Sequence, residues 1–179
     1  MLTSVAMWVA VVVAVLCLLI VRSMRESTRI YSEEWLPGEL RGSELIYAEQ
    51  IFRAKGPVEI VAKVDRGYRD KRGVVVLMEL KTRPIDKPFL SDVIELSVQR
   101  LAVVAQTNEP VAAYGYVAIQ RPRSSRPEFH RVQLLKPKQV IALVERRHAI
   151  LSGLQEADYA RSAGLCEQCP FRRRCKASA

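Results

Sequence analysis

The first 21 residues carry no charged side chain, and this run constrains the chain more than any other feature. The stretch 5–21 (VAMWVAVVVAVLCLLIV) is apolar throughout. As a helix with a rise of about 1.5 Å per residue, about 18 such residues span roughly 27 Å, close to the hydrocarbon core of a bilayer. A buried helix of a soluble domain fits less well, because the run has no polar face. The pattern predicts a transmembrane anchor over residues 1–22.

The first charges after this run are Arg22, Arg25 and Arg29. By the positive-inside rule, they place the rest of the chain in the cytoplasm and the N-terminus outside. A cleaved signal peptide is the alternative, but it would need a basic N-terminal region and a small-residue cleavage site, and neither is present. We therefore expect a single-pass membrane protein with a tether over 23–42 and a cytoplasmic domain over 43–179.

The overall charge favours a polyanionic partner. Lys and Arg outnumber Asp and Glu by 28 to 19, which gives a formal net charge of +9. Such a balance is typical of proteins that bind nucleic acid or an anionic membrane surface. Aromatic residues make up 7% of the chain, which argues against a single-strand binder built on stacking platforms. No glycine-rich phosphate loop is present, so no ATP site is implied.

After the tether, the apolar and β-branched patterns predict one α/β domain with a mixed sheet flanked by helices. The predicted elements are a helix over 43–56, hairpin strands over 58–65 and 74–81 around a turn at 66–73, a helix over 91–106, strands over 111–120 and 129–135, and a helix over 137–154.

Charged residues stand at the ends of the two predicted hairpin strands. Asp65 ends the first strand, and Glu79 and Lys81 lie on one face near the end of the second. If they converge, the two carboxylates form a hard-oxygen site suited to Mg²⁺ or Mn²⁺. A lysine beside such a site can position a water and stabilise charge on a scissile phosphate. With the turn at 66–73, however, convergence requires a bulge or an offset in the second strand.

The following predicted helix carries three polar residues on one face. Asp92, Glu95 and Gln99 fall at i, i+3 and i+7, apart from the apolar stripe. Gln99 could reach a metal-bound water or Lys81. For Asp92 and Glu95 we expect an ordinary solvated face of an amphipathic helix.

Three of the four cysteines cluster near the C-terminus as Cys166-x2-Cys169-x5-Cys175. In a reducing cytoplasm this spacing indicates metal binding before disulfide formation. Cys17 lies in the predicted span, where an ionic cluster would be very costly, so we exclude it as a ligand.

The order Asp65, Glu79-Leu80-Lys81 and Gln99, followed by the cysteine tail, resembles the PD-(D/E)XK nuclease superfamily. More narrowly, it is similar to the RecB-type nuclease domains, including the CRISPR-associated RecB-like exonucleases. The resemblance implies a restriction-endonuclease-like fold over roughly 43–176 and a membrane-anchored, metal-dependent nuclease that hydrolyses DNA.

The resemblance also implies roles for these residues. Asp65, Glu79 and the Leu80 carbonyl would hold Mg²⁺ or Mn²⁺. Lys81 would orient the attacking water, and Gln99 would support Lys81 or the substrate. The family places a further acidic or histidine ligand on the helix before the hairpin. On the predicted helix both Glu44 and Glu49 could take that place, with Glu49 as the candidate.

Two positions depart from the family pattern. Val103 stands where the family's Gln-x3-Tyr motif has tyrosine, and the upstream cysteine of the family's iron–sulphur clip is missing. The three C-terminal thiolates could therefore hold an iron–sulphur cluster with a non-cysteine ligand, zinc completed by His130 or His148, or nothing. Both departures favour the alternative function, an inactive nuclease-like domain that binds DNA or a protein partner at the membrane.

Two groups of arginines are candidates for contact with a phosphate backbone. They are Arg121, Arg123 and Arg126 in the loop 121–127, and Arg172 and Arg173 in the tail. In a tethered domain they could equally contact anionic lipid headgroups, or form a solvated face.

Overall fold

The computed structural model describes residues 15, 16, 18, 35–56, 58–158, 163–167, 169–170 and 172–175. The chain forms two compact units, Met1–Pro137 and Lys138–Ala179. Apart from three residues, the predicted anchor over 1–22 lies outside this described part, as does the tether up to residue 34. Within the described residues, no helix is long and apolar enough to cross a membrane.

The first unit contains a mixed sheet, as the sequence predicts, but the sheet has five strands where four were predicted. Its strands are β1 (Glu44–Ala54), β2 (Ile60–Arg69), β3 (Val75–Thr82), β4 (Val111–Gln120) and β5 (Glu128–Gln133), in that spatial order. The pair β3–β4 is parallel and the other pairs are antiparallel. Helix α1 (Leu90–Thr107) connects β3 to β4, because parallel neighbours need a crossover.

The helix predicted over 43–56 is wrong, because these residues form β1 and pair with β2. The strand is irregular. Its register shifts between Leu45 and Tyr47, and Glu49 has a φ of 52°. Tyr47 and Phe52 are consequently both buried although they lie five positions apart. Such an irregularity breaks the two-residue alternation by which a strand is recognised in a sequence.

The hairpin between β2 and β3 is tighter than predicted. Strand β2 continues to Arg69, through residues that were placed in the turn. The real turn is closed by Asp70, whose Oδ1 accepts hydrogen bonds from the backbone N–H groups of Arg72 and Val74, each at 2.9 Å. Gly73 supplies the left-handed residue with a φ of 80°. The two strands therefore pair from Arg69↔Val75 to Arg66↔Met78.

Apolar side chains cover both faces of the sheet. On one face α1 buries residues such as Leu96 and Val103. On the other face Met78 and Tyr116 belong to a cluster that includes Leu36 and Leu40. Leu36 lies shortly before the 3-10 turn Gly38–Leu40, and Leu40 is the last residue of that turn. The described end of the predicted tether therefore packs into the core.

The second unit contains most of α2 (Pro137–Leu151), followed by α3 (Ala163–Glu167) and the 3-10 turn Arg172–Arg174. A proline in the first helical turn agrees with the predicted start of α2. The helix ends before the predicted residue 154, because Gly153 takes a φ of 72° and the chain turns there.

We expect Gly115→Ala to destabilise the first unit, because β3 and α1 leave no room for a side chain on β4. A Cβ at this position would lie 2.9 Å from the backbone oxygen of Leu77 and 3.4 Å from the Leu96 side chain. We expect the free energy of unfolding, measured by urea denaturation, to fall by about 1–3 kcal/mol. Gly38→Ala is the control, since a Cβ there meets no atom within 4 Å. Equal stability of the two variants would contradict the tight packing at Gly115.

Candidate active site

Asp65 and Glu79 lie opposite each other on neighbouring strands. The paired positions of β2 and β3 end at Arg66↔Met78, and one step further along each strand are Asp65 and Glu79. Directly opposed residues project to the same face of a sheet. The Asp65 Oδ2 atom also accepts a hydrogen bond from the Leu80 N–H at 2.9 Å. The longer β2 thus brings the carboxylates together without the bulge or offset that a turn at 66–73 would require.

Gln99 fixes the carboxylate of Glu79, which is only 3% exposed. Its Nε2 donates to Glu79 Oε2 at 2.6 Å and to the backbone carbonyl of Lys63 at 3.0 Å. The Gln99 Oε1 atom is buried and has no hydrogen-bond partner within the described part of the chain. The buried amide therefore ties β3 to β2 through α1, and its partner is Glu79, where the sequence predicted Lys81 or a metal-bound water.

The environment of Glu79 disfavours its charged form. Burial raises the pKa of Glu79, whereas the hydrogen bonds from Lys81 and Gln99 lower it. The nearby negative charges of Asp65 and Glu95 raise the pKa further, and the result is a pKa of about 7. A carboxylate held in such surroundings is suited to a cation, which restores the stability of the ionised form.

Lys81 bridges two carboxylates. Its Nζ lies 2.7 Å from Glu79 Oε1 and 2.7 Å from Glu95 Oε2. Burial lowers the pKa of Lys81, but the hydrogen bonds and charges of the two glutamates outweigh burial and raise it above 10.5. Lys81 is consequently an ammonium group that donates hydrogen bonds to both glutamates. Glu95 is half-exposed. Its ion pair with Lys81 was not predicted, because this face of the helix was expected to be solvated.

A buried ion pair joins the end of β3 to the start of α1. Arg83 contacts both carboxylate oxygens of Asp92, at 2.6 and 3.2 Å, and Asp92 also accepts the Phe89 N–H at 2.7 Å. The prediction of a solvated Asp92 is wrong, since its side chain is 3% exposed. This pair fixes the segment after Lys81 against the helix that carries Gln99.

The oxygen atoms at this site fit a hard divalent cation. Asp65 and Glu79 offer carboxylates and Leu80 a backbone carbonyl, which are ligand types that Mg²⁺ and Mn²⁺ prefer. Glu49 was expected on a helix, but it lies on β1, is exposed and pairs with Lys63. In the residues that the structure describes, no three His, Cys, Asp or Glu side chains form a group that could hold a metal ion.

The same finding applies to the three C-terminal cysteines of the second unit. Cys166, Cys169 and Cys175 are each half-buried, and backbone hydrogen bonds such as Cys169 N–H to Cys166 O at 3.2 Å coil the segment. In the part of the chain that the structure describes, these cysteines do not form a group that could hold a metal ion. Arg172 and Arg173 lie exposed between them.

The basic loop 121–127 lies at the same end of the sheet as Lys81. It follows Gln120, which pairs with Thr82 across the parallel strands. The Gln120 amide donates to the backbone carbonyls of Arg121 and Ser124, which holds the loop to the end of β4. Arg121, Arg123 and Arg126 are exposed on this loop.

The chain matches known proteins in two ways. A sequence profile described as the PD-(D/E)XK nuclease superfamily matches residues 8–176. The crystal structure of SSO0001 is similar with a TM-score of 0.51 and 19% sequence identity, over 74% of this chain and 60% of that chain. At this identity the likeness shows the fold alone, and the present chain spans about 60% of the length of that protein. No curated protein matches the sequence.

We expect Arg83→Met to lower the free energy of unfolding at pH 7 by about 3–5 kcal/mol, because it leaves the buried Asp92 carboxylate without its cation. Arg72→Met is the matched control. Arg72 also pairs with an aspartate, Asp70, but its side chain is 78% exposed, so its loss should cost at most about 1 kcal/mol. Equal losses in urea denaturation would contradict this interpretation of the buried pair.

The same pair predicts an acid dependence of stability. Burial raises the pKa of Asp92, but the hydrogen bonds from Arg83 and the Phe89 N–H and the charge of Arg83 outweigh it and hold the pKa below 3.8. The pair therefore stabilises the fold fully above that value, and its contribution is lost as the pH falls through the lowered pKa. The difference between wild type and Arg83→Met should shrink on acidification below about pH 4.

Proposed function

This chain belongs to the PD-(D/E)XK nuclease superfamily, and we propose that it is a metal-dependent nuclease that hydrolyses phosphodiester bonds of DNA. The observation that carries the proposal is the position of the Lys81 ammonium, which lies 2.7 Å from the Glu79 carboxylate. Both residues are on β3, which pairs with the strand that carries Asp65. Two carboxylates and a fixed cation on one face of a sheet suit a reaction in which negative charge develops on a phosphate.

In this proposal Asp65, Glu79 and the Leu80 carbonyl hold Mg²⁺ or Mn²⁺. The bound ion supplies Lewis acidity toward a phosphate oxygen and lowers the pKa of a coordinated water. Lys81 donates hydrogen bonds to the attacking water or to a phosphate oxygen. Gln99 keeps the Glu79 carboxylate in one orientation.

Glu95 joins this set as a positioning residue. It contacts Lys81 and holds its ammonium at 2.7 Å. Two carboxylates in contact with one ammonium limit its freedom, so that its donors are directed before substrate arrives.

Several finer features belong to the same proposal. The arginines of the loop 121–127 and the tail residues Arg172 and Arg173 would contact the DNA backbone. The activity would be exonucleolytic, as in RecB-type domains. The three C-terminal cysteines stay a prediction as ligands of an iron–sulphur cluster or zinc. The apolar stretch 1–22 would anchor the nuclease domain to a membrane from its cytoplasmic side.

We expect the full-length protein to degrade end-labelled linear DNA with Mg²⁺ or Mn²⁺ and to stop when EDTA is added. Asp65→Asn, Glu79→Gln and Lys81→Met should each lower the cleavage rate at least about a hundredfold, because each removes charge that the transition state requires. Glu44→Gln and Lys71→Met are matched controls, since both residues are exposed. Glu44 is the first residue of β1, and Lys71 lies in the turn between β2 and β3.

Activity that survives the three substitutions would overturn the proposed mechanism. Metal-independent DNA binding by the wild type without cleavage would favour the inactive, DNA-binding alternative. Anisotropy of a labelled oligonucleotide, measured on the same protein samples, separates these two results.

We expect Gln99→Leu to lower activity roughly 10- to 100-fold while the protein stays folded, because a residue that orients a metal-binding carboxylate has effects of this size. Gln106→Leu is the control on the same helix, where the side chain accepts the Arg53 N–H on the exposed surface. A titration with Mn²⁺ should show weaker metal binding in Gln99→Leu alone. Identical titrations for both variants would contradict the role assigned to Gln99.

A further inference from the structure

A cavity lies on the face of the sheet opposite α1, beside the candidate active site. It encloses about 360 Å³, which is within the range of roughly 300–1,000 Å³ found for small-molecule sites. Its floor includes Met78 of β3 and Ala118 of β4. Trp35 of the N-terminal segment and Phe129 of β5 line it as well. The cavity is therefore built from the sheet and from segments that flank the sheet.

The lining combines aromatic rings with positive charge. Besides Trp35 and Phe129 it contains Arg66, and among the described residues that line it there is no Asp or Glu. Lys81 lines the cavity too, while its ammonium contacts Glu79 and Glu95. Gln120 adds an amide at the end of β4, next to the arginine-bearing loop. Aromatic faces beside cations are the features with which proteins bind an unstacked base of a nucleic-acid strand.

The cavity and the candidate active site share residues of β3. Leu80 and Lys81 line it, and the same two residues belong to the site that would act on the phosphate. Glu79 and Met78 alternate on β3, so that the carboxylate faces α1 while its neighbour faces the cavity. A strand that passes the end of β3 can therefore meet the carboxylates with its backbone and the cavity with a base.

We propose that this cavity binds one unpaired nucleobase of the substrate strand, next to the phosphodiester bond that is cleaved. The inference rests on the proposed nuclease function and specifies its substrate class as single-stranded or locally unpaired DNA. A base in a duplex is stacked and paired, so it must leave the helix before it enters such a cavity. The scarcity of aromatic residues is compatible with the proposal, because one base needs one or two rings and not a row of stacking platforms.

The test is an abasic scan with full-length protein and Mn²⁺. Single-stranded oligonucleotides, each with one nucleotide replaced by a tetrahydrofuran abasic unit, are compared with the unmodified strand and with its duplex. We expect faster cleavage of the single strand than of the duplex. An abasic unit at one fixed offset should lower cleavage at the neighbouring phosphodiester bond about tenfold, and other offsets should have little effect.

A pair of variants provides the matched comparison. Phe129→Leu removes the ring from the cavity and keeps an apolar side chain. Tyr114→Leu is the control, because Tyr114 packs against the same core cluster as Phe129 but does not line the cavity. Phe129→Leu should lose the sensitivity to the abasic unit and cleave the unmodified strand about tenfold more slowly. Tyr114→Leu should keep both properties of the wild type.

Two results separate this inference from the nuclease proposal. Cleavage that is equal at all abasic offsets, or a preference for the duplex, would overturn the base-binding cavity and leave the nuclease intact. If no DNA is cleaved, anisotropy of the same oligonucleotides with wild-type protein remains informative. Weaker binding of one abasic strand, lost in Phe129→Leu, would then support the cavity although the nuclease proposal had failed. The scan on wild-type protein stays decisive even if a variant does not fold.

Discussion

The antiparallel register between β2 and β3 is the constraint on which the site depends. It places Arg66 opposite Met78 and so Asp65 opposite Glu79. A slip of one residue in β3 would turn Glu79 toward the apolar cavity and Met78 toward the helix, which would bury a charge among apolar groups. The tight turn around Asp70 fixes the register, so a structural aspartate at one end of the hairpin determines the position of two candidate ligands at the other.

The charges at the site run against the charge of the whole chain. Glu79 and Glu95 contact the ammonium of Lys81, and the charge of Asp65 acts on Glu79, although the protein carries a formal net charge of +9. The excess of carboxylates favours a divalent cation locally, whereas the arginines of the loop 121–127 carry positive charge on the adjacent surface. A polyanion can thus be attracted by the surface while the reaction centre keeps its affinity for metal.

Much of this arrangement could be predicted from the sequence, because strand β4, both long helices and the residues Asp65, Glu79, Lys81 and Gln99 follow from local patterns. The second half of β2, beyond Asp65, could not, since Gly67 looks like part of a turn. A Cβ there would lie 2.6 Å from the Tyr47 ring, so this glycine allows close packing between strands. The pairing of Asp92 with Arg83 was also missed, because it depends on how the loop after β3 folds back onto the helix.

The position of α1 between the parallel strands β3 and β4 has a consequence for folding. Glu79, Lys81, Glu95 and Gln99 all lie within one strand–helix–strand segment, Val75–Gln120, whereas Asp65 comes from the preceding strand. Contacts that are close in sequence form early. The contact between Asp65 and Leu80 spans 15 residues, fewer than the 20 between Glu79 and Gln99. A chain emerging during synthesis can therefore bring the two carboxylates together in the β2–β3 hairpin before α1 has been made. Docking of the helix then completes the site, because only the helix supplies the amide of Gln99 and the carboxylate of Glu95.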